Sequence, residues 1–142
     1  MIWLVDDAHL GRVIRGQTSA HIGRDDHVAT TGLWYVRLCQ AVSDRDRAGA
    51  LSGPFGALGP EQRARALAQV LVLPERIDLP SLRVLGPIIG GLRSRHTLNL
   101  LAIEAVAAAV HLEARVLLST SSSPRLEEAL AIEERPVVVD RS

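Results

Sequence analysis

Lysine is absent: all 16 cationic side chains of this 142-residue chain are arginines. Arginine forks suit bidentate contacts with phosphate or carboxylate, although codon usage in a GC-rich genome accounts for the same bias. An excess of either charge is missing too, since 16 acidic residues balance the arginines and the pI is about 7.0. That excludes a broad basic footprint for nucleic acid, so any such contact must come from a local patch. Cys39 is the single cysteine, which excludes an intramolecular disulfide and a thiolate zinc cluster. Its neighbours Leu38 and Val42 imply a buried structural thiol. Long apolar runs are also lacking. The stretch from Ala105 to Val110 is too short to span a bilayer, and Asp6-Asp7 interrupt the amino terminus before a signal-peptide core develops. A cytoplasmic location is expected. What is present is 47% apolar and 23% charged residues, enough apolar surface to exclude disorder and to build one core.

Ile2 to Val5 is a run of large apolar residues, the pattern of a strand buried on both faces. His9 to Arg15 carries Leu10, Val13 and Ile14 at helical spacing, with Gly16 as its stop. Gln17 to Val28 reads as a loop. Thr30 or Thr31 caps a helix bearing Leu33, Trp34, Val36, Leu38 and Val42, followed by a charged, glycine-rich connection from Ser43 to Gly59. Gly59-Pro60-Glu61 opens another helix, with Leu67, Val70 and Leu71 inward and Pro74 after its end. Pro80 to Arg95 is predicted helical in part, with Gly86-Pro87 and Gly90-Gly91 breaking or kinking it.

Asn99 to Leu112 forms the strongest helix, apolar on more than one side, with Thr97, Glu104 and His111 along a polar stripe. Arg115 to Leu118 reads as a second buried strand. Ser119 to Ser123 is a serine-threonine loop whose last residue caps a helix over Arg125 to Ala131. Val137 to Val139 is a third strand. Three apolar strands separated by helices predict a three-layer α/β/α architecture with a mostly parallel central sheet, in one domain over residues 1–142. Ligands gather beyond the carboxyl ends of such strands, where Asp6-Asp7 and Ser119 to Ser123 lie.

The opening Ile2-Trp3-Leu4-Val5-Asp6-Asp7-Ala8-His9-Leu10 resembles the start of PIN-domain proteins, particularly the VapC-type toxins of bacterial toxin–antitoxin pairs. Leu98 to Leu112 is similar to their alanine-rich helix, Glu113 to Leu118 to the strand after it, and Arg125 to Leu130 to the short helix before their last strand. Thr30 to Val42 resembles their second helix. The likeness covers most of the chain and is loosest over Ser43 to Thr97. It implies a PIN-like fold, a ribonuclease-like site dependent on Mg²⁺ or Mn²⁺, possible RNA, an antitoxin-like protein partner and a homodimer, with Trp34, Tyr35 and Phe55 as interface candidates.

The family's carboxylates do not carry over well. The first falls on Asp6. The second falls on Arg37, the third on Ala102 (or, with a two-residue shift, Glu104), and the fourth on Thr120 or Ser121. A hard dication takes oxygen ligands. At ~4 Å and an effective dielectric near 20, a unit charge pair interacts by about 4 kcal/mol, so Arg37 in such a site opposes a dication and favours an anion. The expectation is a degenerate metal site without a resident cofactor, in a non-catalytic module that binds RNA or protein. The competing reading is a VapC-like endoribonuclease using Asp6, with Asp7 and Glu104 as further ligands of Mg²⁺ or Mn²⁺.

Individual residues keep two readings each. Asp6 is either a metal ligand or a helix cap, and Asp7 a solvated or capping residue. Arg37 holds phosphate or pairs with Asp6, unless it is an ordinary exposed helical arginine. Glu104 is either a relocated ligand or a surface residue. Ser119, Thr120 and Ser121 precede a helix amino terminus that favours anions, or form a plain capping loop. His9, His21, His27, His96 and His111 have no metal-ligand spacing.

Overall fold

A computed structural model describes residues 1–44, 60–119 and 123–140. Its elements run β1 (Ile2–Val5), α1 (Asp7–Ile14), β2 (His27–Ala29), α2 (Gly32–Ser43), α3 (Pro60–Leu71), β3 (Ile77–Asp78), α4 (Leu82–Leu92), α5 (Leu100–Leu112), β4 (Arg115–Leu118), α6 (Pro124–Ile132) and β5 (Val137–Val139). The strands form one parallel sheet in the order β3-β2-β1-β4-β5. The predicted α/β/α architecture is the one observed.

Alternation along the strands divides the core in two. In register, Leu4 sits beside Ala29 and Val116, and with Leu118 these pack beneath α4, α5 and α6. Trp3, Val5, Leu117 and Ile77 point to the other face, against Leu10, Val13 and Ile14 of α1, Leu38 of α2 and Val70 of α3. β1, and β4 from Val116 to Leu118, are therefore covered on both sides, which is why their sequences there are continuously apolar. Ala102 to Ala109 of α5 are all buried. Their side chains are mostly methyl groups, so this helix lies close to the sheet and buries its whole circumference.

Among the described residues, five strands are present where three were predicted. β2 is only three residues long with one large apolar member, Val28, and β3 has two residues. Neither is long enough to show a period, so part of the stretch read as loop is strand. The first helix starts at Asp7, two residues before the predicted His9, because Asp6 caps it. Gly16 ends that region at φ +77, as expected of a glycine stop. Contrary to the predicted break, α4 runs continuously through Pro87. Arg83, whose carbonyl Pro87 leaves without a donor, is exposed, so water can satisfy it.

The polar stripe proposed for α5 does not form. Thr97 precedes the helix, His111 is exposed, and Glu104 is only 1% exposed because the amino terminus of α2 covers it. On α3, Val70 is buried but Leu71 faces outward, and the Leu67 side chain lies outside the described residues. Trp34 is a core residue rather than an interface residue, and the half-buried Tyr35 donates its hydroxyl to the Val70 carbonyl at 2.7 Å. Phe55 lies outside the described residues. Cys39 is half-buried beside Tyr35, less enclosed than predicted.

The carboxyl ends of α4 and α6 are joined by Glu133. Its carboxylate accepts two hydrogen bonds from Arg95, at 3.0 and 3.3 Å, and lies 2.7 Å from His96 Nε2. Arg95, then His96, hold the Glu133 carboxyl below its ordinary 4.5. A depressed carboxyl pKa adds stability above the unfolded-state value and loses it as pH falls through the folded-state value. Glu133→Gln is expected to lower the melting temperature at pH 7 by an amount worth about 1 kcal/mol or less. In thermal melts at stepped pH, that difference should vanish in acid.

Candidate functional site

The sheet order places β2 on one side of β1 and β4 on the other. The topological switch point is thus the crevice beyond the carboxyl ends of β1 and β4. Asp6 follows β1 there, Ser119 follows β4, and the Asp6 N–H donates to the Leu117 carbonyl at 3.3 Å. Asp6 is 1% exposed. Its Oδ1 accepts the His9 N–H at 3.1 Å, capping α1, and its Oδ2 accepts the Ser119 N–H at 2.7 Å. The carboxylate thereby ties the first helix to the loop after β4. Ser119 belongs to the site through its amide. Thr120 and Ser121 lie outside the described residues.

Thr30 and Thr31, both fully buried, close the neighbouring wall. Thr30 donates its hydroxyl to the Val5 carbonyl at 2.9 Å, and Thr31 caps α2 by accepting the Trp34 N–H at 3.1 Å. Glu104 reaches this same helix end from α5, its Oε1 accepting the Leu33 N–H at 2.9 Å. A Cβ at Gly32 would stand 3.3 Å from Glu104 Oε2, so the absence of a side chain at 32 makes room for the carboxylate. Glu104 is a buried acid at a helix amino terminus, where free amides and the dipole favour negative charge. It is not the surface residue of the alternative reading.

Arg37, half a turn beyond the first turns of α2, is exposed and sets its Nε 3.5 Å from Asp7 Oδ2. Its partner is therefore Asp7 rather than the Asp6 considered from the sequence, because Asp6 already accepts two backbone amides. Burial raises the Asp7 carboxyl above its ordinary 3.8; the Arg37 guanidinium opposes that rise, and the Asp6 charge adds to it. Asp7 is thus partly enclosed and paired, rather than solvated. Sequence reasoning did not single out His9, whose ring is buried one turn from Asp6, its Nε2 without a partner among the described residues. Nothing in its spacing distinguished it from the other histidines.

The structure brings Asp6 and Ser119 together, and Asp7 and Arg37, while Glu104 is joined to the start of α2. Among the described residues, no three His, Cys, Asp or Glu side chains form a group able to hold a metal ion. The two most buried of these carboxylates, Asp6 and Glu104, accept backbone amides, and the Arg37 guanidinium stands against the third acid, Asp7.

No family profile matches the sequence, and no curated protein matches it. Solved structures do. One is VapBC2 from Rickettsia felis bound to a DNA fragment from their promoter, with a TM-score of 0.59, 13% identity and 98% of each chain covered. Another is VapBC-1 from nontypeable Haemophilus influenzae, with a TM-score of 0.51, 14% identity and 98% of each chain covered. The five-stranded parallel sheet with helices on both faces is that of the PIN class. The fold of the described residues is VapC-like.

Asp6→Ala is expected to lose the cap of α1 and strand the Ser119 amide. A destabilisation of about 2–4 kcal/mol should appear in urea unfolding, with Asp6→Asn, which keeps one acceptor, intermediate. Arg37→Ala should raise the Asp7 pKa further, as read by carboxyl-carbon NMR titration; a fall would contradict the pairing described.

Proposed function

We propose that this chain is a VapC-like PIN module whose carboxylate site has become structural, and that it acts by binding rather than by metal-dependent cleavage. The observation carrying this reading is the occupation of the acids. Asp6 and Glu104 accept the backbone N–H groups of His9, Ser119 and Leu33, and Asp7 pairs with Arg37. A metal nuclease needs those oxygens turned toward a cation that positions water against phosphate. Here they fasten α1, α2 and the loop after β4.

The partner we favour is an antitoxin-like protein, since both solved structures cited are VapBC assemblies. Contact with RNA through Arg37 and the loop of Ser119, Thr120 and Ser121 is the secondary mode, supported by the exposure of the guanidinium. A homodimer acting in the cytoplasm completes the proposal. Among the described residues, no helix is long and apolar enough to cross a membrane.

Calorimetry with Mn²⁺ and Mg²⁺, together with incubation of the protein with linear and structured RNAs, tests the reading. We expect no stoichiometric binding at micromolar metal and no metal-dependent cleavage. Cleavage that requires Mn²⁺ and is abolished by Glu104→Gln would overturn it in favour of the endoribonuclease with Asp6, Asp7 and Glu104 as ligands.

A further inference from the structure

At the opposite end of the sheet from Asp6, the amino ends of β2 and β3 and the carboxyl end of α1 line a half-open pocket of about 510 Å³. Its floor is apolar, built from Val13, Ile22, Val28 and Ile77. Val13 and Ile77 are buried, while Ile22 and Val28 are half-buried. Arg24 and Arg76 line it from either side, both exposed and neither in an ion pair among the described residues. His27, also exposed, lies between them in sequence.

The one acid on the wall, Asp26, is already committed. Its Oδ2 accepts the Gly23 N–H at 2.8 Å and the Trp3 indole N–H at 3.1 Å, and its Oδ1 lies 3.9 Å from the amino-terminal ammonium. These contacts keep the carboxylate ionised and counter its charge. Two uncommitted guanidinium groups therefore border an apolar floor. The volume is in the range that encloses one small organic molecule.

We propose that this pocket is a binding site for a small anionic amphiphile, a carboxylate or phosphate head on an apolar body. The head is held by Arg24 and Arg76, and the body rests on Val28 and Ile77. Guanidinium forks recognise either head bidentately, and a body that displaces water from the floor supplies the remaining affinity. The occupant is a small molecule, for which a half-open pocket of this volume has room. This site shares no residue with the carboxylate cluster at the other end of the sheet, so it stands whether or not the cluster binds metal.

The test is an amide-resolved NMR titration of the intact chain with 2-naphthoate and, separately, with uncharged 2-naphthamide. Saturable shifts at Gly23, Val28 and Ile77 are expected with 2-naphthoate, with at least tenfold weaker binding of 2-naphthamide. The Arg24→Gln/Arg76→Gln double variant, altered only at exposed side chains, should weaken 2-naphthoate at least tenfold with its spectrum otherwise retained. Equal binding of the two probes, unaffected binding by the variant, shifts confined to other regions, or no saturation at millimolar 2-naphthoate would each overturn the proposal.

Discussion

The carboxylate of Asp6 is the joint on which the architecture closes. A parallel sheet joins its strands by long crossovers rather than hairpins, and Asp6 adds to the backbone ladder of β1 and β4 a bond beyond their carboxyl ends. With each oxygen accepting one amide, Asp6 stabilises the first turn of α1 and fixes the chain leaving β4. An acid buried this deeply is costly unless its lone pairs are filled by well-placed donors. The geometry that satisfies it is also the geometry that sets β1 against β4.

Glu104 repeats the solution from the other layer. It rises from a helix otherwise buried among alanines, and its charge is compensated by the Leu33 amide and the amino end of α2. Gly32 is part of that arrangement by having no side chain. Helix ends and acids are thus matched at both α1 and α2. Both acids serve as caps and cross-braces between the layers.

Much of this was legible in the sequence. The apolar runs at Ile2 to Val5, Arg115 to Leu118 and Val137 to Val139 announced a sheet buried on both faces. Gly16, Thr31, Pro60 and Ser123 marked helix limits from their own conformational preferences, and the order of elements was sufficient for the PIN resemblance. Strands of two and three residues at Ile77 and His27 were not legible, since a period needs more positions than they have. The fate of Glu104 was hidden for a different reason. Heptad spacing aligns it with Thr97 and His111, but its burial depends on α2 crossing above it, a tertiary fact that no local pattern contains. Arg37 was weighed as a partner of Asp6 or as an exposed helical arginine; it is exposed and stands against Asp7, while Asp6 accepts the amides of His9 and of Ser119, the second 113 positions away.

The central position of β1 has a consequence for how the chain acquires its structure. β1, made before the strands it joins, pairs with residues 27–29 on one edge, but on the other only with residues 115–117. At ribosomal speeds of about 5–20 residues per second, that second edge waits roughly 5–20 s for its neighbour. During that interval Trp3, Leu4 and Val5 belong to an incomplete nucleus with one open margin. Long-range closure of this kind makes for slow folding, and a nascent chain of this protein has reason to meet a chaperone before its last third emerges.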